Sequence, residues 1–256
     1  MTNTITVTGI VISMMPIGDY DRRITILTKE KGKISAFAKG ARKPTSALLS
    51  CSQPFSFGKF ELFPGRSSYT VTSADISNYF TELRSDLDKI YYGMYFCELA
   101  DFFTRENNDA TETLKLLYKS LQALSNEHIG ERLVRRIFEL KLIAVEGEGP
   151  NMMDCAYCGG EKVKAYNFRE DAAICEECYE AMKQKTAIEL ADIVELDGST
   201  VYTIAYIVAT QPEKLYNFKV TDKVLSELER FAELYKKKHI GQNMNAEIML
   251  ESIMKL

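Results

Sequence analysis

Four cysteines in two C-x-x-C pairs constrain this 256-residue chain more than any other feature. Cys155 and Cys158 form the first pair and Cys175 and Cys178 the second, with sixteen residues between them in "CAYCGGEKVKAYNFREDAAICEEC". Each pair can set two thiolates about a zinc ion, and a hairpin between the pairs folds them into one tetrahedral Cys₄ site. Gly159 and Gly160 help the chain turn back from the metal. Two disulfides are the alternative, and a cytoplasmic address argues against them. The spacing predicts one zinc ion acting as a structural staple. A catalytic zinc keeps an open coordination position beside a carboxylate or histidine base. Here four thiolates close the shell, and neither His128 nor His239 stands in an H-x-E or H-E-x-x-H setting. Cys51 and Cys97 are expected to be small buried residues.

The cytoplasmic address rests on the chain's apolar runs. The first eighteen residues carry no charge, yet they lack a basic start and a leucine-rich middle, and threonine at alternate positions reads as a strand. "GSTVYTIAYIVATQP" (198–212) is too short to span a bilayer. No membrane role is expected. The chain also lacks a GxxxxGK[ST] loop, a GxGxxG turn and a G-x-S-x-G elbow, so neither an enzyme nor a small-molecule substrate is expected.

Charge divides the chain. The whole carries a formal net charge of -4, but residues 1–80 hold ten basic and five acidic side chains. "LTKEKGKISAFAKGARKP" (27–44) gathers six of those basic residues against Glu30 alone. Such asymmetry points to a polyanion facing the N-terminal part. A solvated basic face without a partner is the other reading.

Residues 4–75 read as β structure. "TITVTGIVISM", "RRITILT", "KISAFAKG", "PFSFGKFELF" and "SSYTVTSADI" are the five strands, separated by turn chemistry at "PIGDYD", "KEKG" and "PGR". The apolar parity changes around Gly9, which predicts a bulge there. Five short strands in so few residues suit a closed barrel, with the OB-fold leading and an SH3-like barrel second. From residue 80 the period becomes helical, with helices expected at 87–105, 110–124, 128–147, 199–210, 221–238 and 245–255. Ile129, Leu133, Ile137, Leu140 and Ala144 share one buried face of the third. "KKK" at 236–238 reads as a solvated helix end. The fold class is α+β: an OB-fold over 1–79, a helical domain over 80–150 and 181–256, and a Cys₄ module inserted at 151–180.

On the third strand Lys33, Ser35, Phe37 and Lys39 point one way, and Ile34, Ala36 and Ala38 the other. With the small residues inside, the outer face sets a ring between ammonium groups, as single-stranded nucleic acid requires. The opposite pleat, with Phe37 in the core, stands beside it. Arg22, Arg23, Arg42 and Lys43 extend the basic area, or form a solvated loop.

"GIVISMMPIGDYDRRITILTKEKGKISAFAKGARKP" resembles the N-terminal signature of the bacterial RecO family of DNA-repair proteins: a strand, a G-[DE]-x-D-R turn, a T-x-E-x-G strand end and an "AKGAR" segment followed by a basic residue. "RRIFELKLIAVEGEGPNMMDCAYCG" resembles its second signature, an F-E-L helix running through G-x-x-P into a cysteine pair. The tail after residue 180 matches loosely. The resemblance implies an OB-fold, a helical domain and a structural zinc module. It also implies a nucleoid-associated, non-enzymatic mediator that binds single- and double-stranded DNA and anneals complementary strands. Such a mediator works with RecR to load RecA onto strands coated by single-strand-binding protein (SSB). Carried over by position, Arg22, Arg23, Lys39, Arg42 and Lys43 belong to the DNA face. The acidic SSB tail is expected on the helical domain, where Arg132, Arg135 and Arg136 offer guanidinium forks, a helix-surface role being the alternative. From the residues alone, an RNA-binding role or a protein adaptor with an acidic partner stays open.

Overall fold

The computed structural model describes residues 4–126, 128–184, 191–241 and 244–253. Packing divides the chain into two compact units, Met1–Glu131 with Met244–Leu256, and Arg132–Asn243. The boundaries at 79, 150 and 180 follow changes of sequence period, whereas these units follow packing.

The first unit opens with strands β1 (Ile5–Ile17), β2 (Asp21–Thr28), β3 (Gly32–Ala38), β4 (Phe57–Pro64) and β5 (Tyr69–Asn78). They close into a barrel in the order β1-β2-β3-β5-β4, with every pairing antiparallel except β3 with β5. A five-stranded closed barrel in this order is the OB-like arrangement, and closure leaves the short strands no free run of edges. The alternation in "FGKFELFP" does what a period of two dictates: Gly58, Phe60 and Leu62 point in, and Lys59, Glu61 and Phe63 point out. Val7, Val11, Ile24, Ile26, Ile34, Ala36, Ala38, Phe60, Leu62 and Val71 fill the interior. The third strand therefore places its small residues inside and Phe37 outside, half-buried.

The bulge predicted at Gly9 lies further along β1, where the register with β2 slips between Val11 and Ser13. Gly9 instead marks a close approach. It stands opposite Gly58 on β4, and a Cβ at Gly58 would come 2.1 Å from the Asp75 carbonyl oxygen. A side chain there must push β5 away. Gly58→Ala is expected to cost about 1–3 kcal/mol, the usual range for overpacking; an unchanged urea midpoint would remove this account of the barrel's tightness.

Between β3 and β4 lies a single helical turn, α1 (Leu48–Cys51). After the barrel come α2 (Thr81–Arg84), α3 (Leu87–Phe103) and α4 (Thr111–Leu124). Asp86 caps α3 by accepting from the backbone N–H groups of Asp88 and Lys89 at 3.0 and 3.3 Å. In α4, Leu114, Leu117, Leu121 and Leu124 recur at three and four residue steps and are buried. The last described helix, labelled α9 below (Asn245–Ile253), packs on α3. Its first backbone N–H groups, of Asn245 and Ala246, donate to the Glu98 carboxylate at 3.0 and 2.7 Å. Residues 254 and 255 of the expected helix lie outside the described residues.

The second unit holds α5 (Glu131–Val145, from Arg132 on), β6 (Val163–Asn167), β7 (Ala172–Cys175), α6 (Glu176–Met182), β8 (Ile193–Glu195), α7 (Gly198–Ala209) and α8 (Asp222–Ile240). β8, which the sequence reading did not anticipate, pairs with β6 to give a three-stranded sheet ordered β7-β6-β8. Tyr166, Phe168, Phe231 and Tyr235 bring their rings together with centroids 5.1–6.1 Å apart, joining the sheet to α8. Among the described residues no helix is long and apolar enough to cross a membrane.

Candidate metal centre and nucleic-acid interface

The metal centre is built by the hairpin β6–β7. Its descending strand ends at Cys175, which also caps α6, and Cys178 lies within the first turn of that helix. The other pair comes from the loop before β6, where the backbone N–H of Cys155 donates to the Gly160 carbonyl and that of Gly159 to the Cys155 carbonyl, each at 2.8 Å. Gly159 supplies the reversal with φ +74°. All four Sγ atoms lie within 4.8 Å of one another, and those of Cys158 and Cys175 stand 3.4 Å apart. A zinc–sulfur bond of about 2.3 Å sets tetrahedral sulfurs roughly 3.8 Å apart, so the donor set fits that ion. The sulfurs are prepared unequally. Burial opposes a thiolate at Cys155, but the backbone amides of Cys175, Tyr157 and Cys158 outweigh it and hold its thiol down at about 6. Cys178 is pushed up to about 12 by hydrogen bonding to Cys158 and then Cys175. Four sulfurs this close cannot all carry charge unless a cation displaces their protons. The remaining two cysteines take no part: burial pushes the thiols of Cys51 and Cys97 up.

The basic segment sorts itself by burial. Arg22 is 8% exposed, and its Nη1 donates to the Leu49 carbonyl at 2.7 Å and the Ser52 hydroxyl at 2.8 Å. It anchors α1 to the barrel, and burial, then Arg42, lowers its pKa. Lys33 donates from Nζ to the Asp101 carbonyl oxygen at 2.6 Å and pairs with its carboxylate at 3.2 Å. These two cations are spent within the unit. Arg23, Lys39, Arg42 and Lys43 are exposed.

Arg23 lies on the outer face of β2, where its Nε donates to the Ser35 hydroxyl at 2.8 Å, and three hydrogen bonds bring the loop with Lys39, Arg42 and Lys43 beside the β1–β2 turn. The loop after β3 closes on the β1–β2 turn: the Arg42 backbone N–H donates to the Tyr20 carbonyl at 2.8 Å, and its guanidinium to the Gly18 carbonyl at 3.1 Å. The Gly40 N–H donates to the Asp21 carboxylate at 2.7 Å. Lys43 Nζ then lies 5.3 Å from the centre of the Tyr20 ring, itself 54% exposed. Sequence reasoning missed Tyr20, although the turn motif "GDYD" held its signal.

The three arginines offered as a receptor for an acidic tail behave differently. Arg135 and Arg136 are 5% and 8% exposed, and both turn inward onto Glu139, itself 1% exposed. Arg135 Nε reaches one carboxylate oxygen at 2.9 Å and Arg136 Nη1 the other at 2.8 Å. Lys236, expected at a solvated helix end, is also buried, with Nζ 3.8 Å from the same carboxylate. Only Arg132 is exposed, and it forks onto Glu229 at 2.8 and 2.6 Å. The expected surface cluster is a buried ionic core, formed because an interior carboxylate must be paired.

Comparison with known proteins divides the chain just after the barrel. Residues 1–80 match the family model "Recombination protein O N terminal", and residues 84–247 match "Recombination protein O C terminal". The chain is 32% identical over 243 residues to the DNA repair protein RecO of Acetivibrio thermocellus, covering 94% of each chain. It is 32% identical over 241 residues to that of Alkaliphilus metalliredigens, covering 93% of this chain and 95% of the relative. With that of Symbiobacterium thermophilum the identity is 36% over 158 residues, 62% of each chain.

Proposed function

Because the chain belongs to the RecO family of DNA repair proteins, we propose that it is a non-enzymatic recombination mediator that binds single- and double-stranded DNA and anneals complementary strands. In the same reading it acts with RecR to load RecA onto strands coated by SSB. One observation carries the DNA-binding part: Arg23, Lys39, Arg42 and Lys43 stand exposed, the loop cations fixed by the Gly18, Tyr20 and Asp21 contacts and Arg23 by the Ser35 hydroxyl. Turn residues and the outer face of strands two and three are where barrels of this type take up oligonucleotides. Arg22 and Lys33 support that surface from within.

Annealing by such a surface needs no bond chemistry. Two strands repel through their phosphates, and a cationic track screens both while leaving the base edges free to pair. Displacing SSB likewise needs only competing contacts. The acidic SSB tail docks on the helical domain, by contacts other than the buried Arg135 and Arg136. We take the metal to be zinc, held by Cys155, Cys158, Cys175 and Cys178, and the closed thiolate shell supports a structural role.

The test is a salt titration. Log affinity for single strands is expected to fall against log salt with a slope of about -0.7 per phosphate contacted, so four contacts give roughly -3. Arg42→Glu with Lys43→Glu should remove about half of that slope and reduce binding by a hundredfold or more, on the order of 1–2 kcal/mol per phosphate contact reversed. Strand binding that survives both reversals, or a flat response in the unaltered protein, would leave the basic end of the barrel for an acidic protein partner instead.

A further inference from the structure

The outer face of the barrel carries one more ordered feature. Met15 on β1 stands opposite Arg23 on β2, Arg23 opposite Phe37 on β3, Phe37 opposite Thr70 on β5, and Thr70 opposite Phe63 on β4. Directly paired residues share a sheet face. Their neighbours on β2, β3, β5 and β4, Ile24, Ala36, Val71 and Leu62, are buried in the interior, so the row faces outward on those four strands, and Met15 shares that face through its pairing with Arg23. Met15 is 57% exposed and Phe63 47%, Arg23 is exposed, and Phe37 and Thr70 are half-buried. On one side of the row lie the hydroxyls of Ser13, Thr25 and Ser35, themselves paired across β1, β2 and β3. On the other side lies the loop bearing Lys39, Arg42 and Lys43.

We infer that Phe37 and Phe63 are base-stacking platforms, and that a single strand crosses the barrel along this row with its phosphates toward the loop cations. The inference rests on the reading of the barrel as a DNA-binding surface and adds what part of the DNA it recognises. The two rings belong to strands separated by β5, so they lie about two strand spacings apart, roughly 10 Å. That leaves each ring room for its own base, and Arg23 between Met15 and Phe37 offers a flat cation to a ring or a phosphate. An aromatic face is open only to a base that is unpaired and unstacked, so the row selects single strands over duplex. It does so without reading sequence, because every base has a π-face. A base stacked by its face keeps its pairing edge free for a second strand.

Phe63→Ala, on the exposed side of β4, and the conservative Phe37→Leu separate stacking from charge. Each is expected to weaken binding to a single-stranded oligonucleotide about tenfold. The salt slope should stay unchanged because no phosphate contact is lost. Affinity for duplex of equal length should also stay unchanged. An oligomer of the same phosphates lacking bases should bind the unaltered protein and Phe63→Ala equally. The chain contains no tryptophan, so Phe63→Trp gives a single reporter whose emission should be quenched by the oligonucleotide and not by the base-free strand. Equal losses on duplex and single strand, or quenching by the base-free strand, would overturn the stacking role while leaving DNA binding intact. Failure of the unaltered protein to bind any strand would instead overturn the DNA-binding reading.

Discussion

Stripping the metal with a strong chelator is expected to release one zinc per chain and unfold the two cysteine loops and α6, while Tyr166 and Phe168 hold the hairpin against α8. The sulfurs come from two loops joined by a hairpin, and the cluster packed around them is small: Cys155, Ala165, Ile174 and Cys175 are its buried members. So little apolar area cannot order the two loops by itself, and metal binding in such modules supplies folding free energy on the order of 10 kcal/mol. Cys175→Ser should act in the same way, because Cys175 offers one of the four clustered sulfurs, ends β7 and caps α6 through its sulfur, 3.5 Å from the Cys178 N–H. Amide exchange and limited proteolysis would place the loss in the module, and metal analysis would give the stoichiometry. Protein purified without chelator that held no metal, or cysteine loops still protected after chelation, would remove the staple.

Removing the carboxylate of Glu139 is expected to destabilise the second unit by about 3–5 kcal/mol, the usual result of breaking a buried ion pair from one side. Glu139 holds two guanidinium groups from its own helix and approaches an ammonium from α8, with all four side chains buried. Glu139→Gln keeps the shape and one acceptor oxygen yet loses the charge, so its cost should approach that of Glu139→Ala. Arg132→Ala, which removes an exposed fork to Glu229, should cost 1 kcal/mol or less. Urea unfolding of the three variants checks the ordering. A large loss at Arg132 beside a small one at Glu139 would reverse the assignment of structural weight.

Legibility in the sequence depended on the range of the signal. The cysteine cluster was legible because its members pair at a fixed local spacing, and the barrel because period-two patterning survives within single strands such as β3 and β4. The buried ionic core was also within reach: Arg135 and Arg136 stand four and three residues before Glu139, a spacing at which helical side chains meet. The apolar residues around it hid the signal, since nothing in the pattern said that the charged stripe faced inward. Other features had no local trace. Lys33 finds Asp101 sixty-eight positions away, and Arg132 finds Glu229 ninety-seven positions away. Gly9 was legible as a special position and misread as a bulge, because a close approach between strands leaves the same glycine as a slipped register. The row from Met15 to Phe63 combines four strand registers, and no single stretch of chain contains it.

The Glu98 carboxylate receives the opening amides of α9, although the chain between them passes through the whole second unit. During translation α3 therefore waits for its neighbour until more than a hundred further residues have been synthesised. The intervening unit can mature on the ribosome while the earlier one still lacks a piece of its wall. A nascent chain stalled before residue 244 would carry an unsealed helix surface, a natural handle for chaperones or proteases that remove incomplete copies.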